Sequence, residues 1–496
     1  MNQSETQYYN GSSSSVRTGN VKVFLVMDAL YLLVVFGWTL GLSPLGIDFA
    51  ALARPDRLGP VAGELFSGML SIFGGYAWMY FLVNLALLYG CMALLLVLTR
   101  ILGKGPWWLG SIAAVLFMAN PIKTEGVLLL SGLRYLLPGL LGLVVLLVYA
   151  CSRLRQKFRF LLLPPAAYIG AVLACPDLVP LFLVLMVLEG CFFREFPGRS
   201  RRLWPIVIVG FAMYFISGQW AMEGAWQPAR VFVPLYLVLY PIGLLPDTVA
   251  LFEFWPVLGW GCGVMLVALA MLLMRGARTP LLTFGLLGAV SFRLLQGARG
   301  VDPVTLAGGG ILVIPLALLS LAVAGGFQAL LERPRWRASV VRLSTLFCVV
   351  AMACQVWTNV HWLQGGHAVR RFRQAAMETA AQHPGQLLAV APDLQYSGTV
   401  PVMYAQSVYY DTPFSTALPV TGLMPLSLAM PATIDVLHYS PEKMTVSVRG
   451  HTSATPDKPR LFSRAWWQRR SHPPEPARLD LEAGARPFPV VRVPYE

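Results

Sequence analysis

The chain has 496 residues, 56% of them hydrophobic and only 12% charged, with a mean hydropathy of +0.62. A soluble domain carries about 25% charged residues, so a water-soluble globular enzyme is excluded. The net charge of +14 does not point to nucleic acid, because Lys and Arg sit in alternate short loops between apolar blocks, the positive-inside pattern of a polytopic membrane protein.

In chain order, residues 1–20 form a cytoplasmic tail, with Arg17 and then Lys22 at its boundary. The first apolar block, 21–42, is too long for a secretory signal and has no small-residue cleavage site, so it is read as the first span. Further spans are expected at 77–99, 107–119, 127–150, 160–175, 178–193, 204–218, 255–274, 280–298, 305–328 and 339–358, about eleven crossings in all. Basic residues fall between alternate pairs: Arg100 and Lys104, Arg153 to Arg159, Arg194 to Arg202, Arg275 and Arg278, and Arg333 to Arg337. The apolar stretch 231–252 is broken by Pro234, Pro241 and Pro246. A full crossing there would put every later basic loop outside, so it is read as re-entrant. The expected whole is an all-α polytopic bundle in a bacterial cytoplasmic membrane, spanning 21–358.

Beyond it, 359–451 reads as a small periplasmic α/β domain, with a helix at 367–382 and strands near 386–391, 400–405, 432–438 and 444–448. The segment 452–496 is rich in Pro and Arg and is expected to hold little fixed structure. All six histidines (361, 367, 383, 438, 451 and 472) lie in this C-terminal third, which leaves the membrane part without a histidine for acid–base or metal work. The seven cysteines show no metal-ligand spacing. The residues name no cofactor and leave a need for divalent metal open.

Charges at span ends on the outer side are candidate functional groups. The loop after the first span holds Asp48, Arg54, Asp56, Arg57 and Glu64. The turn Asn120-Pro121-Ile122-Lys123-Thr124-Glu125 joins the third and fourth spans, and Arg134, Arg230 and Arg299 lie at outer boundaries.

The run ANPIKTEGVLLLSGLRYLLPGLLGLVVLLVY, residues 119–149, resembles the signature of GT-C glycosyltransferases. The likeness is greatest to the bacterial, repeat-free relatives of the transmembrane O-mannosyltransferases that carry tetratricopeptide repeats. Pro121, Thr124, Glu125, Val127, Ser131, Gly132 and Tyr149 match that pattern. Residues 73–103 resemble the same family's second span, with Asn84 on its asparagine, and LYPIGLLPD at 239–247 resembles its re-entrant piece. Asn120 and Lys123 stand where the family has histidines, and Leu133 where it has an arginine, with Arg134 adjacent.

The resemblance implies a GT-C-like bundle and transfer of a sugar from a polyprenyl-phosphate-linked donor to a periplasmic protein or glycan, within membrane lipid. It implies that the first outer loop supplies the general base. Asp48 is the first choice, then Asp56, then Glu64. A loop cap or a pair with Arg54 is the alternative for Asp48, and a solvated pair with Arg57 the alternative for Asp56. Lys123, Arg134, Arg230 and Arg299 are the candidates for the donor phosphate, with headgroup anchoring as their competing role. Glu125 either orients Lys123 or caps a helix, and Asn84 is a supporting residue. The rival functions are a polysaccharide polymerase or ligase and a non-catalytic membrane scaffold or transporter.

Overall fold

The computed structural model describes residues 19–45, 48, 51–52, 55–155, 162–193, 203–216, 280–296, 309–331 and 334–382, and short strands beyond them. Twelve helices are described: α1 Gly19–Phe36, α2 Pro60–Phe73, α3 Ala77–Gly103, α4 Trp107–Met118, α5 Thr124–Leu128, α6 Leu133–Arg155, α7 Leu163–Ala174, α8 Leu181–Phe192, α9 Leu203–Ile216, α10 Pro280–Gln296, α11 Val313–Leu331 and α12 Arg337–Gln382. Five helical stretches among the described residues are long and apolar enough to cross a membrane: Val21–Gly41, Ala77–Gly103, Leu130–Leu154, Val313–Leu331 and Ala338–Gln374. The protein is a multi-pass membrane protein built from these helices. Apolar side chains stand outward where a soluble fold would hide them, Val34 at 72% and Ile72 at 77% exposed.

The expected spans at 255–274 and the re-entrant stretch 231–252 lie outside the described residues. Two elements differ from expectation. Helix α2 occupies the first outer loop, opening on Pro60 after Gly59, whose φ is 104°. Proline at the first helical position and a left-handed glycine before it make a clean start. The span expected at 339–358 and the helix expected at 367–382 are one 46-residue helix, α12, so the boundary placed at 359 falls inside a helix. Gly365 and Gly366 do not break it. A Cβ at Gly366 would stand 3.3 Å from the Ser43 carbonyl oxygen, so the glycine lets α12 lie directly on the first loop.

The bundle has two ends. Arg100, Lys104, Arg153 and Arg335 mark one, the basic end, where Gln328 also ties α11 to the Gly103 carbonyl at 2.7 Å. The opposite end gathers the chain after Phe36, the segment 119–132, the turn Pro176–Leu178 and the 3-10 turn Gly309–Leu312. The core between them includes Phe36, Leu88, Phe117, Tyr149, Phe182, Phe284 and Leu318, all fully buried.

Past residue 386 the strands are β1 Leu387–Ala391, β2 Gly422–Pro425, β3 Thr433–Tyr439, β4 Lys443–Arg449, β5 Ala477–Glu482 and β6 Val490–Arg492. β1 pairs in parallel with β2 and β6, while β4 pairs antiparallel with β3 and β5. β5 and β6 fall within 452–496, where composition predicts little fixed structure. The strand expected at 400–405 lies outside the described residues.

Candidate functional site

The segment between α4 and α6 cannot run as one helix. It forms a 3-10 turn, Pro121–Lys123, then α5, then a second 3-10 turn, Leu130–Gly132. Each break leaves backbone groups without an intrahelical partner. Asn84 of α3 meets one set: its Nδ2 donates to the carbonyls of Val127 at 3.3 Å and Leu129 at 2.7 Å. Asp48 meets the other. Its Oδ1 accepts the Leu130 N–H at 2.8 Å and, at the margin, the Ser131 N–H at 3.5 Å. Its Oδ2 accepts the Leu45 N–H at 3.0 Å. Gly132 closes the turn against the Gly126 carbonyl and Asn84, in space that a Cβ would fill.

Asp48 is fully buried. Burial pushes its carboxyl up to about 7, the three backbone N–H groups pull the other way, and the nearby Glu125 adds a smaller upward push. Both oxygens are engaged by backbone, so the geometry is that of a staple joining the first loop to the turn before α6. The loop-cap alternative fits it better than the general-base role.

Lys123 is also fully buried, with its Nζ 4.8 Å from the centre of the Phe36 ring and no protein hydrogen-bond partner. Burial pushes its ammonium down to about 7. Thr124 donates to the Pro121 carbonyl at 2.6 Å and accepts from Gln355 of α12 at 2.9 Å. Glu125 is buried and accepts the Tyr135 hydroxyl at 3.3 Å, so it does more than cap α5.

Arg134 lies elsewhere. It is exposed, its guanidinium rests 4.8 Å from the Tyr135 ring centre, and it lines a small open cleft with Tyr135, Pro138, Asp177, Phe292 and Gln296. Gln296 is held in the cleft wall by Arg293 at 3.3 Å and by the Ile311 carbonyl at 3.3 Å. Lys123 is not among the lining residues, so these two candidates for the donor phosphate are separated. The cleft combines an exposed cation, a carboxylate, an amide and an apolar floor, a set suited to a ligand with an anionic group, hydroxyls and a hydrocarbon tail.

No family model matches the chain, and no curated protein matches it.

The remaining expected residues are dispersed. Glu64 is exposed on α2. Asp56 lies in the 3-10 turn Pro55–Leu58, and its side chain lies outside the described residues, as do Arg230 and Arg299. Among the described residues no three His, Cys, Asp or Glu side chains gather as a metal site would require.

Sequence reading missed four charged residues. Asp177 stands at a span end that the expected topology puts on the outer side, and the rule that selected Asp48 selects it equally. Asp28 interrupts the first apolar block and accepts the Ser111 hydroxyl in the interior. Arg293 is a fully buried cation behind the cleft. Arg153, read as a basic-loop residue, is 5% exposed. It is paired with Glu189 of α8, which also accepts the Tyr149 hydroxyl at 2.7 Å.

Proposed function

We propose that the protein is a membrane glycosyltransferase that moves a sugar from a polyprenyl-phosphate-linked donor to a periplasmic protein or glycan. The observation that carries this reading is Tyr135, which lines the cleft beside Arg134 and Asp177 while its hydroxyl holds Glu125 of the Thr-Glu turn. The turn on which the GT-C resemblance rests therefore adjoins a cleft at the end opposite the basic loops. In this reading Arg134 meets the donor phosphate, the apolar floor takes the first part of the lipid, and Asp177 faces the acceptor. The acceptor hydroxyl attacks the anomeric carbon, the bond from that carbon to the phosphate oxygen breaks, and the lipid phosphate leaves with the bonding pair. Asp177 takes the hydroxyl proton. Arg134 stabilises the departing phosphate.

The reading carries with it about eleven crossings, a re-entrant 231–252, a cytoplasmic N-terminus and a periplasmic α/β domain, all in the bacterial cytoplasmic membrane. Arg230 and Arg299 remain further phosphate candidates within it.

A second reading, a non-catalytic member of the same architecture, is favoured by Asp48, whose carboxyl is enclosed and held by backbone. One experiment separates the two. Full-length protein in lipid nanodiscs is titrated with a short-chain polyprenyl phosphate and with the matching uncharged polyprenol. The phosphate is expected to bind more tightly, and Arg134→Gln to weaken it about 10–100-fold, the scale of one charge-assisted hydrogen bond. Equal binding of phosphate and alcohol sinks both readings of the cleft. Phosphate binding without transfer from any phosphate-linked sugar leaves the non-catalytic reading. Where transfer is seen, Asp177→Asn should reduce it about 10²–10⁴-fold while phosphate binding persists.

A further inference from the structure

Four contacts and two peptide links close a circuit at the end of the bundle opposite the basic loops. The Lys123 ammonium lies over Phe36 at 4.8 Å. Next to Phe36, the Val35 carbonyl accepts from Asn359 Nδ2 at 2.9 Å. Asn359 Oδ1 accepts from Gln355 Nε2 at 2.7 Å, and the same Nε2 donates to Thr124 Oγ1 at 2.9 Å. Thr124 is the chain neighbour of Lys123, which completes the ring. The members come from α1, the turn before α5, the first residue of α5, and α12, and all six are at most 2% exposed.

Two polar atoms in this ring have no protein partner, Lys123 Nζ and Gln355 Oε1. One is a donor with three hydrogens and the other is an acceptor with free lone pairs. Leaving either unsatisfied in a buried site forfeits its hydration without replacement, and the charged group loses the more. An anion suits the ammonium and is repelled by the amide oxygen and by the Asn359 oxygen beside it. Water suits both, since it accepts from the ammonium and donates to the amide. Buried waters of this kind make about three hydrogen bonds and are integral to a fold.

We propose that Lys123 and Gln355 hold a bound water buried in the seam between α1, α12 and the turn, and that Lys123 is thereby committed to this seam rather than to the donor cleft. The water completes the seam by which α12 packs on the turn. It explains how a lysine with no anionic partner persists inside the outer end of the bundle. The inference stands whether or not the protein transfers sugar.

Radiolytic hydroxyl-radical labelling tests it, because radicals made from a bound water oxidise side chains that bulk solvent does not reach. The full chain is irradiated in nanodiscs. Phe36 is expected to be oxidised several-fold faster than Phe284, an equally buried phenylalanine packed on Phe192. On brief mixing into oxygen-18 water, the Phe36 product should retain light oxygen while the product at exposed Trp336 is heavy. Lys123→Met should lower Phe36 labelling to the Phe284 level, and Gln355→Leu serves where that variant does not fold. Equal labelling of Phe36 and Phe284 in the unaltered protein overturns the proposal. So does Phe36 labelling that carries heavy oxygen from the start, or that persists unchanged in a folded variant.

Discussion

Asp48 Oδ1 accepts the backbone N–H of Leu130 at 2.8 Å, across 82 positions of sequence. This bond and its partner at Leu45 make the first loop and the start of α6 one unit. A carboxylate at the start of a helical turn satisfies amides that would otherwise be orphaned, and the turn's dipole favours its charge. The same atoms cannot also wait for a substrate proton without releasing the loop.

Asp48→Asn is therefore expected to act on stability first. An amide can offer an oxygen to Leu130 or to Leu45 but turns its NH2 toward the other donor. The loss should be about 1–3 kcal/mol, the scale of a buried donor left unmet. Thermal unfolding in detergent reads it, and an unchanged midpoint in Asp48→Asn argues that the carboxyl is no staple.

Stability should pass through a minimum near neutral pH. The Asp48 carboxyl, pushed from 3.8 up to about 7, binds more protons folded than unfolded between those values, so its contribution falls as pH rises through them. The Lys123 ammonium, pushed from 10.5 down to about 7, binds fewer protons folded than unfolded above 7, so its contribution rises from there to 10.5. Each slope is at most about 1.4 kcal/mol per pH unit. Lys123→Met should flatten the alkaline limb and leave the acidic one. A limb that survives in the variant assigns it to another group.

Arg153 and Glu189 should behave as a buried pair, not as a surface charge that sets orientation. Arg153→Met leaves Glu189 enclosed with Tyr149 alone and should cost about 3–5 kcal/mol. Arg153→Met combined with Glu189→Leu should recover part of that loss, because two apolar side chains need no pairing, while the Tyr149 hydroxyl gives up its bond to Glu189. A double variant no better than the single one contradicts this.

Ile216 at the end of α9 and Pro280 at the start of α10 should lie on opposite sides of the membrane. α9 leaves the basic end, whereas α10 runs antiparallel to α11, with Gly325 against Leu282, and so begins at the basic end. Alkaline phosphatase fused after residue 218 and after Arg373 should be active, and a fluorescent protein after Arg278 should glow. Activity of a phosphatase placed after Arg278 would reverse the arrangement.

The sequence by itself determined the class, most helices and the two ends of the bundle. Length of apolar run and placement of Lys and Arg are local quantities, and lipid reads them locally: 77–99 became α3, which runs on to Gly103, and 305–328 became α11, which starts at Val313 and ends at Leu331. The tertiary structure decided what the charges do. Asp48, Lys123 and Arg153 look alike in sequence, as ionisable residues near span ends. One staples a turn 82 positions away, one sits over Phe36 against α12, and one pairs with Glu189. Arg134, eleven positions from Lys123, faces an open cleft instead. The span expected at 339–358 and the helix expected at 367–382 are one helix, α12, and only the structure shows Gly366 within it lying against Ser43. A charge in lipid is defined by the groups that desolvate and pair it, and those come from helices distant in sequence, so no local pattern carries them.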